Sequence, residues 1–164
     1  LSQALSEIRG IRPLPPQPAL TRDTIYNYVF QYRPEDRRIS RDLFVAALDA
    51  EGIPCDGRFY EAVYRSDLFP VCAEDFPQLR LDREQPVDYR QCRCPVSERA
   101  AYEESVWLPQ FLLIGDEQDI EDIARAVTKV MASRDALAAA GPSLEGLKAM
   151  SRAERPRLER ERNY

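Results

Sequence analysis

The chain has 164 residues, which suits one domain with appendages. Its apolar fraction of 44% and charged fraction of 31% are ordinary for a globular protein. Its apolar runs are too short to span a bilayer, and no signal-peptide pattern is present. We therefore expect a cytoplasmic protein without a membrane partner. The formal net charge of −5 provides no basic face for nucleic acid. Histidine is absent, which excludes an imidazole general base and any Ser/His or Cys/His nucleophile pair.

The first elements are predicted to be a helix end, a connection and a strand. Residues 1–10 have the pattern of the last turns of a helix capped by Gly10, and the interrupted start suggests that a segment precedes them. The proline-rich residues 11–20 predict an extended connection. Over residues 24–33, aromatic and other β-favouring residues alternate with a period of two, which predicts a strand. Its alternate aromatic residues are expected to pack in the core rather than to stack on bases: Tyr26, Tyr28, Phe30 and Tyr32.

A helix and a short strand are predicted next. Ser40 has the side chain of an N-cap for a helix over 41–51, and Gly52 is expected to end that helix. Residues 53–59 predict a second strand, and residues 63–69 predict a single helical turn.

The remaining pattern ends in the clearest helix of the chain. Residues 72–93 are polar and lack periodicity, so we expect a long surface loop. Residues 96–104 predict a short helix after Pro95, and residues 106–108 predict a third strand. Asp116 is then expected to cap a helix that reaches Ala132, because apolar residues recur on one helical face: Ile120, Ile123, Val127, Val130 and Met131.

This order of elements predicts an α+β domain with helices packed on one side of a small antiparallel or mixed sheet. We assign the domain to residues 24–132. Residues 1–23 are the helix end and connection, and residues 133–164 are a charged tail that we expect to be partly helical and loosely attached.

The cysteines could form a metal site or could be ordinary thiols. Structural zinc sites usually present two close ligand pairs, whereas only Cys92 and Cys94 are close in this sequence. A disulfide framework has no secretory context to support it. We therefore predict no metal site and expect all four cysteines to be buried or idle thiols, namely Cys55, Cys72, Cys92 and Cys94.

Two segments carry a resemblance to a known family: EGIPCDGRFYEAVYRSDLFPV at 51–71 and CPVSERAAYEESVWLPQFLL at 94–113. They resemble the C-terminal third of the pyridoxal-phosphate aminotransferases of the DegT/DnrJ/StrS family, closest to the glutamine:scyllo-inosose aminotransferase branch. The resemblance covers roughly residues 1–132. It implies the C-terminal small domain of a fold-type I aminotransferase.

The resemblance also implies a substrate-binding loop. Many sugar-acting relatives have a histidine at the position of Tyr64, whereas the cyclitol-acting branch resembles this chain in having tyrosine. We therefore predict that Tyr64 and Tyr60 bind substrate, and that Arg58 and Arg65 pair with a carboxylate or phosphate. The alternative is that the tyrosines pack on the sheet while the arginines face solvent.

The cofactor of this family is held as a Schiff base on a lysine of the larger N-terminal domain. The lysines of this chain are Lys129 and Lys148. The sequence around them contains neither a glycine-rich loop that could bind the cofactor phosphate nor a motif with an acidic partner for the pyridinium nitrogen. We therefore predict no catalytic and no cofactor-binding residue in this chain. Pyridoxal phosphate is expected in the intact enzyme and not in this chain alone.

These features predict the C-terminal portion of an aminotransferase that acts on a keto-sugar or keto-cyclitol, in aminocyclitol antibiotic or surface-sugar biosynthesis, and that is inactive alone. Its expected partners are the N-terminal cofactor-binding domain, the substrate and, since such relatives are usually dimers, a second copy of the enzyme. The alternative is a standalone, non-catalytic interaction module that retained the small-domain fold.

Overall fold

The computed structural model describes residues 1–22, 24–36, 38–57, 61–66, 68, 71–72, 75–80 and 88–144. They form an α+β domain with a three-stranded antiparallel sheet, which confirms the predicted fold class. In this part of the chain no helix is long and apolar enough to cross a membrane.

The sheet has the strand order β1-β2-β3, formed by Ile11–Pro13, Asn27–Tyr32 and Ser105–Pro109. The predicted strand over 24–33 is shorter than expected because Asn27 already lies opposite Pro109, the last residue of β3. Strand β1 lies where we predicted an extended connection. It tolerates its proline because it is an edge strand, where a missing backbone N–H is not needed by a neighbour.

The predicted strand over 53–59 is wrong for the described residues 53–57. Among these, Asp56 alone pairs with the sheet, as an isolated bridge to Trp107. The N–H of Asp56 donates to the Trp107 carbonyl at 2.9 Å, and the N–H of Trp107 donates to the Asp56 carbonyl at 2.8 Å. The Asp56-Gly57 dipeptide favours a turn over an extended strand, which limits the pairing to one residue.

The described part contains five α-helices: α1 Ser2–Ser6, α2 Arg41–Ala50, α3 Pro95–Arg99, α4 Glu117–Ala132 and α5 Arg134–Leu144. Helix α3 continues as a wider, π-type turn over Ala100–Glu104, so the helix predicted over 96–104 is confirmed. Short 3₁₀ turns lie at Val63–Arg65, Pro77–Arg80, Tyr89–Gln91 and Gln110–Leu113.

The predicted helix ends of α2 and α4 are confirmed by their hydrogen bonds. The Ser40 side chain accepts the N–H of Leu43 at 3.1 Å, and Gly52 ends α2 with a φ of 90°. At the start of α4, Asp116 and Asp119 each accept the other's backbone N–H at 3.1 Å, which forms a capping box.

Helix α1 ends at Ser6, four residues before the predicted end at Gly10. The chain turns there because the N–H of Ile11 donates to the Ile8 carbonyl at 3.0 Å. The Gly10 carbonyl accepts the N–H of Arg33 at 2.6 Å, so this glycine leads into the sheet instead of capping the helix.

The core lies between the inner face of the sheet and helices α1, α2 and α4. The Phe44 ring of α2 stacks on Tyr32 at 4.6 Å between centroids and meets the edge of Phe30 at 6.4 Å. Complete burial of a phenylalanine contributes about 1.5–3 kcal/mol, so Phe44 is a main attachment of α2 to the sheet. The core prediction is confirmed for Phe30 and Tyr32 but wrong for Tyr26, which precedes β2 and is 71% exposed.

The beginning of α5 contacts the rest of the domain. Arg134 Nη1 lies 2.7 Å from Asp36 Oδ1, and Arg38 pairs with Asp135. Leu137 packs against the core. The tail is therefore helical at its start, and its first turn contacts the domain; residues 145–164 lie outside the described residues.

Candidate functional site

Two of the four predicted substrate-binding residues lie in the described part of the chain. Tyr64 and Arg65 are adjacent on the 3₁₀ turn Val63–Arg65. Arg58 and Tyr60 lie outside the described residues, and their roles stay predictions.

The Tyr64 hydroxyl joins this turn to helix α3. It donates a hydrogen bond to Oε1 of Glu98 and lies 3.3 Å from the backbone nitrogen of Cys94, whose N–H it accepts. The same Glu98 oxygen lies 3.3 Å from the Cys94 nitrogen. A phenol has one hydrogen to donate, so the hydrogen of Tyr64 is directed to Glu98, while the hydroxyl oxygen accepts the Cys94 N–H.

The guanidinium of Arg65 is held between two aromatic rings. Its Cζ atom lies 5.8 Å from the ring centroids of both Tyr64 and Tyr102, a distance at which cation–π attraction operates. One of its nitrogens, Nη2, lies 3.3 Å from Glu98 Oε1. Because the side chain is 42% exposed, its outer N–H groups can donate to a ligand oxygen.

The contacts within this cluster shift three pKa values. For Arg65, desolvation is outweighed by the charge of Glu98 and the contacts with Tyr64 and Tyr102, so the pKa of its guanidinium is raised. Partial desolvation, followed by the hydrogen bond to Glu98, raises the pKa of Tyr64 above its ordinary value. The hydrogen bond from Tyr64 is the main cause that lowers the pKa of Glu98, assisted by the Cys94 N–H and the Arg65 charge. At neutral pH the cluster therefore contains a neutral phenol, a carboxylate and a guanidinium.

Glu98 and Tyr102 are members of the cluster that the sequence analysis missed. The Tyr102 hydroxyl accepts the backbone N–H of Ala62 at 3.3 Å, directly before the turn that carries Tyr64. A spacing of four residues places Glu98 and Tyr102 on one face of a helix, and that spacing was the available signal.

A cleft of about 510 Å³ lies beside this cluster, and Tyr102 contributes to its wall. Its volume is in the range of small-molecule sites. Arg33 Nε on its wall lies 3.3 Å from Glu104, a carboxylate that also lies 2.9 Å from Arg99 Nε. Arg12 also lines the cleft and is exposed on β1. The cleft thus combines guanidinium and carboxylate groups, which suits a polar ligand.

Lys129 does not fit the role of a cofactor-binding lysine. It lies on α4 with its side chain 63% exposed, and its Nζ is 2.6 Å from Oε2 of Glu51. A Schiff-base lysine needs a desolvated pocket with donors for the cofactor phosphate. Lys148 lies outside the described residues.

The four cysteines differ in how deeply they are buried. Cys55 and Cys72 are buried, Cys92 is partly buried and Cys94 is exposed. Within the described ranges, no three His, Cys, Asp or Glu residues are grouped so that they could hold a metal ion.

Comparison with known proteins relates the chain to aminotransferases. It is 41% identical, over 84% of its length, to a protein of Streptoalloteichus tenebrarius and 36% identical, over 88% of its length, to one of Micromonospora echinospora. Both carry the provisional name L-glutamine:3-amino-2,3-dideoxy-scyllo-inosose aminotransferase. The chain spans 34% of the length of each. No family profile matches it.

The fold is similar to part of a solved enzyme structure. The crystal structure of 3-amino-5-hydroxybenzoic acid synthase matches 80% of this chain and 31% of its own, with a TM-score of 0.58 and 24% identity. This likeness supports the fold, and the sequence relatives support the family. The chain is therefore similar over most of its own length to proteins named as inosose aminotransferases, in agreement with the predicted resemblance, and it spans about a third of the length of the relatives that it matches.

Proposed function

We propose that this chain is the C-terminal small domain of a pyridoxal-phosphate aminotransferase that transfers an amino group from glutamine or glutamate to a keto-cyclitol or keto-sugar. The observation that carries this proposal is the identity of 36–41% with proteins named for inosose amination, over 84–88% of this chain. In this proposal residues 24–132 form the body of the domain, and residues 133–164 are an appended tail. Residues 1–23 lead in from the N-terminal domain, and their α1 and β1 pack into this domain through Leu5 and Ile11.

The proposal divides the work between two domains. Pyridoxal phosphate, when bound, supplies the electron sink for amino transfer. It would be held by the N-terminal domain, because Lys129 is exposed and paired with Glu51. The chain described here would contribute to substrate binding, and it would be inactive alone.

In the intact enzyme, the Tyr64–Arg65 turn would line the substrate mouth. Because the Tyr64 hydrogen is directed to Glu98, the hydroxyl oxygen would accept a hydrogen bond from a substrate hydroxyl in exchange for its 3.3 Å contact with the Cys94 N–H, which Glu98 also accepts. Arg65 would donate from its exposed edge to a substrate oxygen. Arg58 and Tyr60 precede this turn and are proposed as further substrate contacts.

Exposed apolar side chains next to the cluster support an interdomain surface there. Val63 is 64% exposed, Leu68 is 82% exposed and Val96, near Glu98 on α3, is 69% exposed. Neighbouring exposed apolar side chains commonly mark an interaction surface. In this proposal the N-terminal domain covers them and brings the cofactor to the turn.

The test is to join this chain to the remaining two thirds of a relative's chain, and to assay amination of a keto-cyclitol with glutamine. We expect activity in the joined protein and none in this chain alone. Tyr64→Phe should lower kcat/KM by about tenfold or more if its contact strengthens in the transition state. Tyr26→Phe removes a hydroxyl from an exposed tyrosine outside the cluster and is the matched control.

The outcomes separate this proposal from its alternative. A joined, folded, cofactor-loaded protein that aminates no keto-cyclitol or keto-sugar would contradict the proposed activity and favour the standalone interaction module. Activity that Tyr64→Phe and Tyr64→Ala leave unchanged would keep the enzyme proposal but remove Tyr64 from the substrate site.

A further inference from the structure

We propose that Arg41 is a positioning residue for the candidate site, acting by fixing the C-terminal end of the helix that holds the Tyr64–Arg65 turn. Arg41 acts at a distance from the turn: its polar contacts among the described residues are with Asp42 and with the backbone carbonyls of Ala101, Tyr102 and Ser105. Its effect on amination rests on the proposed function. Its effect on the geometry of the turn does not.

The side chain of Arg41 is buried and donates four hydrogen bonds. The residue is 3% exposed at the first position of α2. Its Nη1 donates to the carbonyls of Ser105 at 2.8 Å and Ala101 at 3.3 Å, and its Nη2 donates to the carbonyl of Tyr102 at 2.8 Å. Its Nε donates to Asp42 Oδ1 at 2.7 Å.

The position of these carbonyls explains why the residue is an arginine. Ala101 and Tyr102 lie in the π-type turn that ends the helical segment, where carbonyls lack the usual partners further along a helix. The negative end of the helix dipole also favours a cation there. The planar guanidinium reaches three carbonyls and a carboxylate at once, whereas a lysine ammonium has three donors on a single atom and cannot span them.

One residue connects this end of the helix to the candidate site. The carbonyl of Tyr102 is bonded by Arg41, and the hydroxyl of Tyr102 accepts the N–H of Ala62, which directly precedes the 3₁₀ turn. One helical turn earlier, Glu98 holds the Tyr64 hydroxyl and Arg65. Displacing Arg41 should therefore release Tyr102 and Glu98 together from the turn.

Gly57 supplies independent support for a fixed position of Arg41. A Cβ atom on Gly57 would lie 2.6 Å from Nε and 2.7 Å from Cδ of Arg41, closer than side-chain atoms approach each other. The backbone after the Asp56 bridge thus lies directly against the guanidinium. This contact limits movement of the guanidinium toward Gly57.

The test measures amide hydrogen exchange by NMR in the whole chain, with Arg41→Lys compared with Arg125→Lys. Arg125 is an exposed arginine that pairs with Asp122 within α4, so it is the matched control. We expect the exchange of the Ala62 and Cys94 amides to accelerate by about tenfold or more in Arg41→Lys, relative to the Val127 amide of α4. Arg125→Lys should change this ratio by less than about twofold.

Two results would overturn the proposal. Equal acceleration at Ala62, Cys94 and Val127 would mean that Arg41 contributes to global stability alone, and no acceleration at Ala62 and Cys94 would mean that the turn does not depend on it. If Arg41→Lys does not fold, Gly57→Ala displaces the guanidinium without removing a donor and should give the same selective acceleration. Because the measurement uses this chain without cofactor, its failure is distinguishable from failure of the proposed enzyme activity.

Discussion

Replacing Gly57 by alanine tests how firmly the buried guanidinium of Arg41 is held. The added Cβ would lie 2.6 Å from Nε, 2.7 Å from Cδ and 2.9 Å from Cζ of Arg41. These distances are too short to persist, so either the backbone at 57 or the arginine must move. The arginine is buried and makes four polar contacts. Moving it therefore breaks hydrogen bonds and is not a simple change of rotamer.

The size of the effect follows from those bonds. A hydrogen bond to a charged group contributes about 1.5–3 kcal/mol, and a shift of the guanidinium would weaken one or two of the 2.8 Å bonds to the Ser105 and Tyr102 carbonyls. We therefore expect Gly57→Ala to lower the free energy of unfolding by about 2–4 kcal/mol, a large part of the stability of a small domain.

Urea unfolding followed by circular dichroism measures this change, with two comparisons. Gly52→Ala meets no atom within 4 Å, and its cost of about 1–2 kcal/mol comes from the positive φ of 90°. In an Arg41→Ala background the clash partner is absent, so the second substitution, Gly57→Ala, should cost less than about 1 kcal/mol. A cost below about 1 kcal/mol in the unaltered chain, or an equal cost in both backgrounds, would refute the steric reasoning.

Three further predictions concern a helix cap, a titrating contact and the tail. Asp116→Ala removes the capping box of α4 and should lower the free energy of unfolding by about 1 kcal/mol in urea, whereas Asp122→Ala on the exposed face of the same helix should change it by less than about 0.5 kcal/mol. The pKa of Glu98 is lowered in the fold, so its contacts stabilise the protein above the ordinary carboxyl pKa and are lost as pH falls through the lowered value. The urea midpoint of Glu98→Gln should therefore fall less between about pH 5 and pH 3 than that of the unchanged chain, and an identical fall would contradict the assignment. Because Leu137 packs on the core, a chain ending at residue 136 should be about 1 kcal/mol less stable than one ending at residue 140, while equal stability would show that the first turn of α5 is dispensable.

The elements that were predicted correctly are those decided by local chemistry. Ser40, Gly52 and Asp116 mark helix ends through a side-chain oxygen or a positive φ, and both devices depend on residues at most a few positions away. The alternation of Phe30 and Tyr32 likewise reports the inner face of a strand directly.

The misjudged elements depend on distant partners. Strand β1 contains a proline and is a strand because Tyr32 and its neighbours pair with it. Conversely, residues 53–57 belong to the predicted second strand but pair at Asp56 alone within the described range.

The candidate site shows the same limit. Tyr64 and Arg65 were found through a resemblance, but the contact of Tyr64 with Glu98 joins residues 34 positions apart. No local pattern specifies such a contact, and the bonds from Arg41 to the carbonyls of Tyr102 and Ser105 span 61 and 64 positions. A contact between a side chain and a backbone carbonyl is hard to predict from a single sequence, because the carbonyl can belong to any residue type.

The isolated bridge at Asp56 bears on self-association of the protein. Open strand edges are templates for aggregation, which natural sheets oppose with prolines and inward-pointing charges. On one side of this sheet Pro13 has no N–H to offer another strand. On the other side, Asp56 occupies the N–H and carbonyl of Trp107 and places a carboxylate that is 5% exposed at the centre of β3. Both outer strands therefore carry features that oppose edge-to-edge polymerisation of the sheet.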